Sequence, residues 1–189
     1  MKTGPVIAVV GIVILLVIGV SYVVTYNNLV SLNQRVAGQW ATVEVQYQRR
    51  VDLIPNLVNS VQGYQQFEAG LLTNITALRS SWTNANSADD RIKYGTAIDS
   101  ALSRLLLVYE NYPELQTVVL VAGLMDELAG TENRIAVERM RYNQAVQDFN
   151  TAIHTIPNNL IAPSLGFTDK PYFQSQLGAS TVPIVDLGP

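Results

Sequence analysis

Residues 6–24 read VIAVVGIVILLVIGVSYVV, an unbroken run of Val, Ile, Leu, Ala and Gly relieved only by Ser21 and Tyr22. At about 1.5 Å per helical residue this run spans roughly 28 Å, close to the hydrocarbon thickness of a bilayer. The charge-free stretch around it extends from Thr3 to Gln34. Tyr22 and Tyr26 stand at its outer end, where aromatic rings favour the headgroup zone. A cleavable signal peptide is the competing reading. Against it, the run exceeds a usual h-region, Lys2 is the whole n-region, and no A-x-A-like site follows. We read residues 1–25 as an uncleaved transmembrane anchor. Lys2 and the terminal amine lie on one side of it, and the other side has no positive residue until Arg35. The positive-inside rule then favours a cytoplasmic amino terminus, with the remaining chain on the external face of the cell membrane.

The 189 residues leave roughly 130 between the anchor and a Pro/Gly-rich end, enough for one domain. A net charge of −3 offers no basic stripe for nucleic acid. Cysteine is absent, which removes disulfides, zinc–thiolate sites and thiol nucleophiles. Charged residues make up 14%, against about a quarter in a typical soluble domain. The anchor accounts for part of that deficit. The rest is a surface rich in Asn, Gln, Ser and Thr.

Beyond the anchor the pattern is helical. Trp40, Val43, Tyr47, Arg50, Ile54, Leu57, Val61, Tyr64, Glu68, Leu71, Ile75, Leu78 and Trp82 follow alternating steps of three and four. That is a heptad seam interrupted only by Arg50 and Glu68. Leu29, Leu32 and Val36 continue it towards the anchor, so anchor and seam read as one long helix. Pro55 falls inside the pattern and removes one backbone donor, which predicts a kink near Val51–Pro55. A polar turn from Ser80 to Ser87 precedes a second helix. Ser87 is its cap, and Asp89 and Asp90 fall in its first turn. Tyr94, Ile98, Ala101, Leu105, Val108 and Tyr112 form the second seam. Pro113 suits the first position of a third helix. Its seam runs from Val118, Val121, Met125 and Leu128 through Glu132, Ile135, Arg139, Tyr142, Val146, Phe149, Ile153 and Ile156, and Pro157 ends it.

The predicted fold is therefore all-α. An amino-terminal transmembrane helix (1–25) continues into an antiparallel bundle of about three long helices with coiled-coil-like packing (26–157). An extended Pro/Gly-rich tail (158–189) follows, partly pinned by Leu160, Ile161, Phe167, Tyr172 and Phe173. Thr181–Leu187 is the one stretch that reads as a short strand. The helix lengths do not close, however. A first helix of about 80 Å, a return of about 35 Å and a third helix of about 60 Å leave the seam nearest the membrane bare. Bare apolar seams of that size are not tolerated by monomers. Either the tail folds back over Leu29, Leu32, Val36, Trp40, Val43 and Tyr47, or parallel copies of the same helix cover them in a homo-oligomer; the second is expected, because the tail can cover only part of the surface.

Several strings carry a family resemblance. They are Tyr26-Asn-Asn-Leu-Val-Ser-Leu, Arg49-Arg-Val-Asp-Leu-Ile-Pro-Asn-Leu-Val58, Gly63-Tyr64, Glu110-Asn-Tyr-Pro-Glu-Leu, Thr131-Glu-Asn-Arg-Ile135, Arg141-Tyr-Asn143 and the Phe167 to Tyr172-Phe173 spacing. From about Val6 to Phe173 the chain resembles the LemA family of prokaryotic membrane proteins. The Arg49–Val58 and Thr131–Ile135 strings are the specific ones. The chain departs from the family pattern at Gln65–Glu68, where a histidine often precedes the glutamate. It is also more aliphatic after Leu115. The resemblance implies an amino-terminal anchor and a helical bundle, and it implies no reaction.

Arg50, Glu68, Glu132 and Arg139 interrupt the seams and are the first candidates for something beyond packing. The structural reading is an ionic seam that fixes register between helices. The functional reading is a polar binding groove or switch. Arg49, Asp52 and Pro55 form a second cluster. It is either a kinked helix whose loosened backbone a neighbouring side chain satisfies, or a docking surface. Asp89-Asp90 and Asp126-Glu127 are adjacent carboxylates that point in different directions on a helix, so neither makes a dyad or a metal site alone. His154 is the only histidine and sits near a helix carboxyl end. Asn74-Ile-Thr76 matches a glycosylation acceptor. No nucleophile set, phosphate loop, metal cluster or cofactor motif is present in this inventory, and no cofactor is expected. The expected function is a non-enzymatic, self-associating membrane scaffold. The alternative is an adaptor or accessory subunit that binds another membrane protein, such as a protease or transporter.

Overall fold

The computed structural model describes residues 3–61 and 69–174. The fold is all-α: α1 (Thr3–Val61), α2 (Ala69–Thr83), α3 (Ala88–Glu110), α4 (Pro113–Gln116), α5 (Val119–His154) and α6 (Asn158–Ile161), with a 3-10 turn at Pro163–Leu165. No strand occurs among the described residues, and the Thr181–Leu187 stretch lies outside them. α1 runs unbroken through residue 25, so the apolar run and the first seam are one helix. The part from Ile7 onward is long and apolar enough to cross a membrane, and the side chains from Ile7 to Val24 are exposed throughout.

The chain divides into two compact units that share α1 and α5. The first holds Met1–Ala41 and Arg141–Lys170, and the second holds Thr42–Met140 and the chain from Pro171 onward. In the second unit the expected single helix from Trp40 to Trp82 is two helices. Arg79 Nε meets the Val51 carbonyl at 3.0 Å, and the rings of Trp82 and Tyr47 lie 6.1 Å apart. As the residue number rises along α2 it falls along α1, so α2 is antiparallel to α1. Period alone does not reveal this reversal, because both helices bury a face in the same core and both keep steps of three and four. Tyr64 and Glu68, which the seam places at the junction, lie outside the described residues.

Ser87 caps α3 as its sequence predicts. Its hydroxyl oxygen accepts from the Asp90 amide at 3.1 Å and donates to the Asp90 carboxylate at 2.8 Å. Pro113 opens only the single turn of α4, and the long helix begins afresh at Val119. α5 then runs antiparallel to α1 in each unit. In the second unit Arg49 pairs with Glu127 and Arg50 faces Glu132. In the first unit Arg35 pairs with Asp148 at 3.1 Å, and Trp40 meets Tyr142 edge to face with centroids 5.5 Å apart.

This course of α5 overturns the expectation of a bare seam. Leu29 and Val43 are fully buried within one chain, Val36 and Tyr47 are buried, and Leu32 and Trp40 are half-buried. In an up-down-up bundle built on a first helix of about 80 Å, the last long helix would rise away from the seam near the anchor. With α2 and α3 forming a further antiparallel pair, α5 descends along that seam and covers it. The tail also differs from its reading. Phe167 packs edge-on against Phe149 at 5.9 Å and Phe173 stacks on Tyr47 at 6.2 Å, so these two do pin the chain. Leu160 and Tyr172 are exposed, with Leu160 at the edge of a groove beside α1.

Val43→Glu should therefore destabilise the single chain, by on the order of 3 kcal/mol, because it buries an unpaired carboxylate. Denaturant unfolding of the detergent-solubilised protein should show a loss that is the same at low and high protein concentration. Unchanged unfolding with a smaller particle mass would mean that the seam is an interface between copies.

Candidate functional site

Two arginines that no apolar seam should hold, Arg50 on α1 and Arg139 on α5, converge in the second unit on one carboxylate, Asp99 of α3. Arg50 Nη1 bonds Asp99 Oδ1 and Arg139 Nη2 bonds Asp99 Oδ2. Tyr47 donates its hydroxyl to Asp99 Oδ2 at 2.8 Å and accepts from Arg139 Nη2. Arg139 also reaches the Thr96 hydroxyl at 3.4 Å. Arg50 and Asp99 are almost wholly removed from solvent. Glu132 approaches Arg50 Nη2 at 3.8 Å, an electrostatic contact too long for a hydrogen bond, and its side chain stays 45% exposed.

Aromatic rings wall this centre. The Arg139 guanidinium lies over Phe173 at 4.7 Å and over Tyr47 at 5.4 Å. The Tyr47 ring fits only because position 95 is glycine: a Cβ there would come within 2.9 Å of the ring. Gly95 and Asp99 are one turn apart on α3, so one face supplies both the gap for the ring and the acceptor for its hydroxyl.

Burial pushes the Asp99 carboxyl above its ordinary value, and the guanidiniums of Arg139 and Arg50 oppose that shift. Protonation would strand the buried Arg50 and the half-buried Arg139, so Asp99 is the counter-ion of both at neutral pH. Burial, with the Asp99 charge beside it, raises Tyr47 well above an ordinary phenol. The phenol therefore stays neutral and keeps donating. With both Asp99 oxygens engaged by cations, the arrangement suits a register lock between α1, α3 and α5 rather than proton transfer.

The remaining sequence candidates fall elsewhere. Arg49 pairs with Glu127 at 2.9 Å on the exposed rim, and Asp52 accepts from Gln48 at 2.8 Å one turn away. Pro55 sits inside α1. The carbonyl its missing N–H would have served is that of Val51, and Arg79 Nε donates there instead. The loosened backbone is thus satisfied by a neighbouring helix. His154 pairs with Asp169 at 3.0 Å on the surface of the first unit. Asn74 is exposed on α2. Asp99 and Gly95 were missed by sequence reasoning. The signal was an acid one residue off the Ile98 seam position, on the helix facing two seam arginines.

A family model described as the LemA family matches residues 39–187. The chain belongs to the LemA family. It is similar to magnetosome protein MamQ 2 of Paramagnetospirillum magneticum, 27% identical over 96% of this chain and 77% of that protein. It is also similar to protein LemA of Metamycoplasma hominis, 26% identical over 85% of this chain and 75% of that one. MamQ of Magnetospirillum gryphiswaldense is 24% identical over 85% of this chain and 68% of its own length. The family match includes Arg50, Asp99, Glu132 and Arg139. Arg50 and Glu132 fall within the two strings that carry the LemA resemblance.

Arg50→Ala should cost about 3–5 kcal/mol of stability, since it leaves Asp99 buried with half its counter-charge. Glu132→Ala should cost only about 0–1, as an exposed, loosely held pair does. Thermal or denaturant unfolding of the two variants checks the contrast, and equal losses would contradict this geometry.

Proposed function

We propose that this LemA-family chain is a non-enzymatic, single-pass membrane protein whose bundle serves as an adaptor for another membrane protein. The anchor is Val6–Val24, with the amino terminus in the cytoplasm and the bundle on the external face. One observation carries the choice of adaptor over scaffold. The α1 seam from Leu29 to Val61 is occupied by the chain's own helices, so it offers no driving force for association through that face. A bundle complete in one copy is a preformed surface, which binds a partner at little ordering cost. Val119, 86% exposed, and the exposed Leu107 and Leu120 stand near the α3–α5 connection as apolar contacts for such a partner.

Self-association as a homo-oligomeric scaffold is the second reading. The exposed Val45 of α1 and Val137 and Met140 of α5 favour it, since they are apolar and lie outside the closed seam. Lipid is the remaining partner, through the exposed span of α1.

The mass of the detergent-solubilised protein separates the two readings. The adaptor reading predicts a single chain when the protein is purified alone. A stable closed oligomer would support the scaffold and remove the adaptor's carrying observation. Protease added to intact cells should digest the bundle, and full protection of it, with external controls cut, would reverse the orientation.

A further inference from the structure

Within the first unit the chain leaves α5 at His154, turns at Pro157 and forms α6 against α1. Pro157, Leu160 and Ile161 line one side of a groove of about 340 Å³. Val17, Ile18 and Ser21 of α1 line the other. Those α1 residues belong to the outer half of the apolar run. That run has no length to spare: its nineteen residues give roughly 28 Å, against a hydrocarbon core of about 30 Å. Whatever packs beside Val17 and Ile18 is therefore at bilayer depth.

The segment that packs there is suited to that depth. From Thr155 to Thr168 it contains no charged residue. Ile156 is 82% and Leu160 75% exposed, although both are large and aliphatic. Several of its polar groups are served locally. The Asn158 side-chain amide donates to the Ala152 carbonyl at 2.9 Å, and the amides of Asn159 and Ala162 donate to Thr155 and Asn158 at 2.9 and 2.8 Å. Internal satisfaction of that kind is what backbone near hydrocarbon requires. The nearest charge-bearing groups, His154 and Asp169, pair with each other at 3.0 Å and so close off the two ends of the segment together. Tyr22 on the same groove is an interfacial residue type.

We propose that Ile156–Leu165 is a second membrane contact. It is a re-entrant corner embedded in the leaflet beside the anchor, with Ile156 and Leu160 solvated by acyl chains. The proposal rests on the reading of Val6–Val24 as a transmembrane anchor. It makes the first unit a two-point attachment, one span and one wedge, which fixes the rotation of α1 about its own axis relative to the bilayer.

The natural absence of cysteine allows one environment-sensitive fluorophore per molecule in the full chain. Leu160→Cys carries the test label, Ile14→Cys the anchor control and the exposed Asn84→Cys the water control. The probe is a phosphatidylcholine/phosphatidylglycerol vesicle with nitroxide on the acyl chains. The Leu160→Cys label should show blue-shifted emission and lose it to the nitroxide, as the Ile14→Cys label does, while the Asn84→Cys label does neither. Water-like emission at Leu160→Cys with a quenched Ile14→Cys label overturns the wedge and leaves the anchor standing. An unquenched Ile14→Cys label overturns both. A blue-shifted but unquenched Leu160→Cys label means that protein, such as a second copy's anchor, fills the groove, and overturns lipid as its occupant.

Discussion

The second unit depends on one carboxylate placed between two guanidiniums. Arg50 and Arg139 occupy seam positions where an aliphatic side chain would pack at no electrostatic cost. Burying either cation alone is prohibitive, because the protein interior cannot replace the hydration an ion gives up. Asp99 makes both tolerable, and it does so at only one axial alignment of α1, α3 and α5. A shift of any one helix by a turn breaks at least one ion pair and exposes an uncompensated charge to an apolar core. Apolar seams tolerate such slips far better, since one Leu resembles the next. The ion cluster therefore contributes register more than net stability. Tyr47, stacked with Phe173 and lodged against Gly95, couples the same lock to the tail segment.

The first unit has its own alignment of α1 with α5, set by the pairs Trp40–Tyr142 and Arg35–Asp148. Those contacts close the seam that starts at Leu29. Pro55 is accommodated in the same spirit: Arg79 supplies the donor that the ring removed, so α1 continues to Val61 instead of breaking. In both places a polar side chain from a neighbouring helix corrects a local fault, which ties helix continuity to tertiary packing.

Much of this was legible in the sequence for direct physical reasons. The apolar run, the three-and-four periodicity and the Ser87 cap are local signals, and the helical class, the continuous anchor helix and the start of α3 follow from them. Arg50 and Arg139 were conspicuous because charge on a seam demands a partner. The partner was harder to see. Asp99 lies beside, not on, the apolar positions of α3, and its place at the centre follows from α3 and α5 both flanking α1, a non-local fact. The reversal between Val61 and Ala69 was hidden for a related reason. Two helices that share a core keep the same hydrophobic period, so counting heptads does not register that α2 runs back along α1. From that reading came the expected bare seam, whereas Leu29 and Val43 are buried within one chain. Leu160 was misread because an aliphatic residue in a tail looks like a pin until its neighbours are known.

The account stands or falls on coupling between Arg50 and Asp99. A double-mutant cycle in the full detergent-solubilised chain, comparing Arg50→Ala, Asp99→Ala and the pair, measures it directly by denaturant unfolding. A register lock predicts strong non-additivity: the double variant should be more stable than the sum of the single losses by at least about 2 kcal/mol, because with Arg50 gone the loss of Asp99 strands one cation, Arg139, instead of two. Losses that add to within about 0.5 kcal/mol would show two independent residues and contradict it.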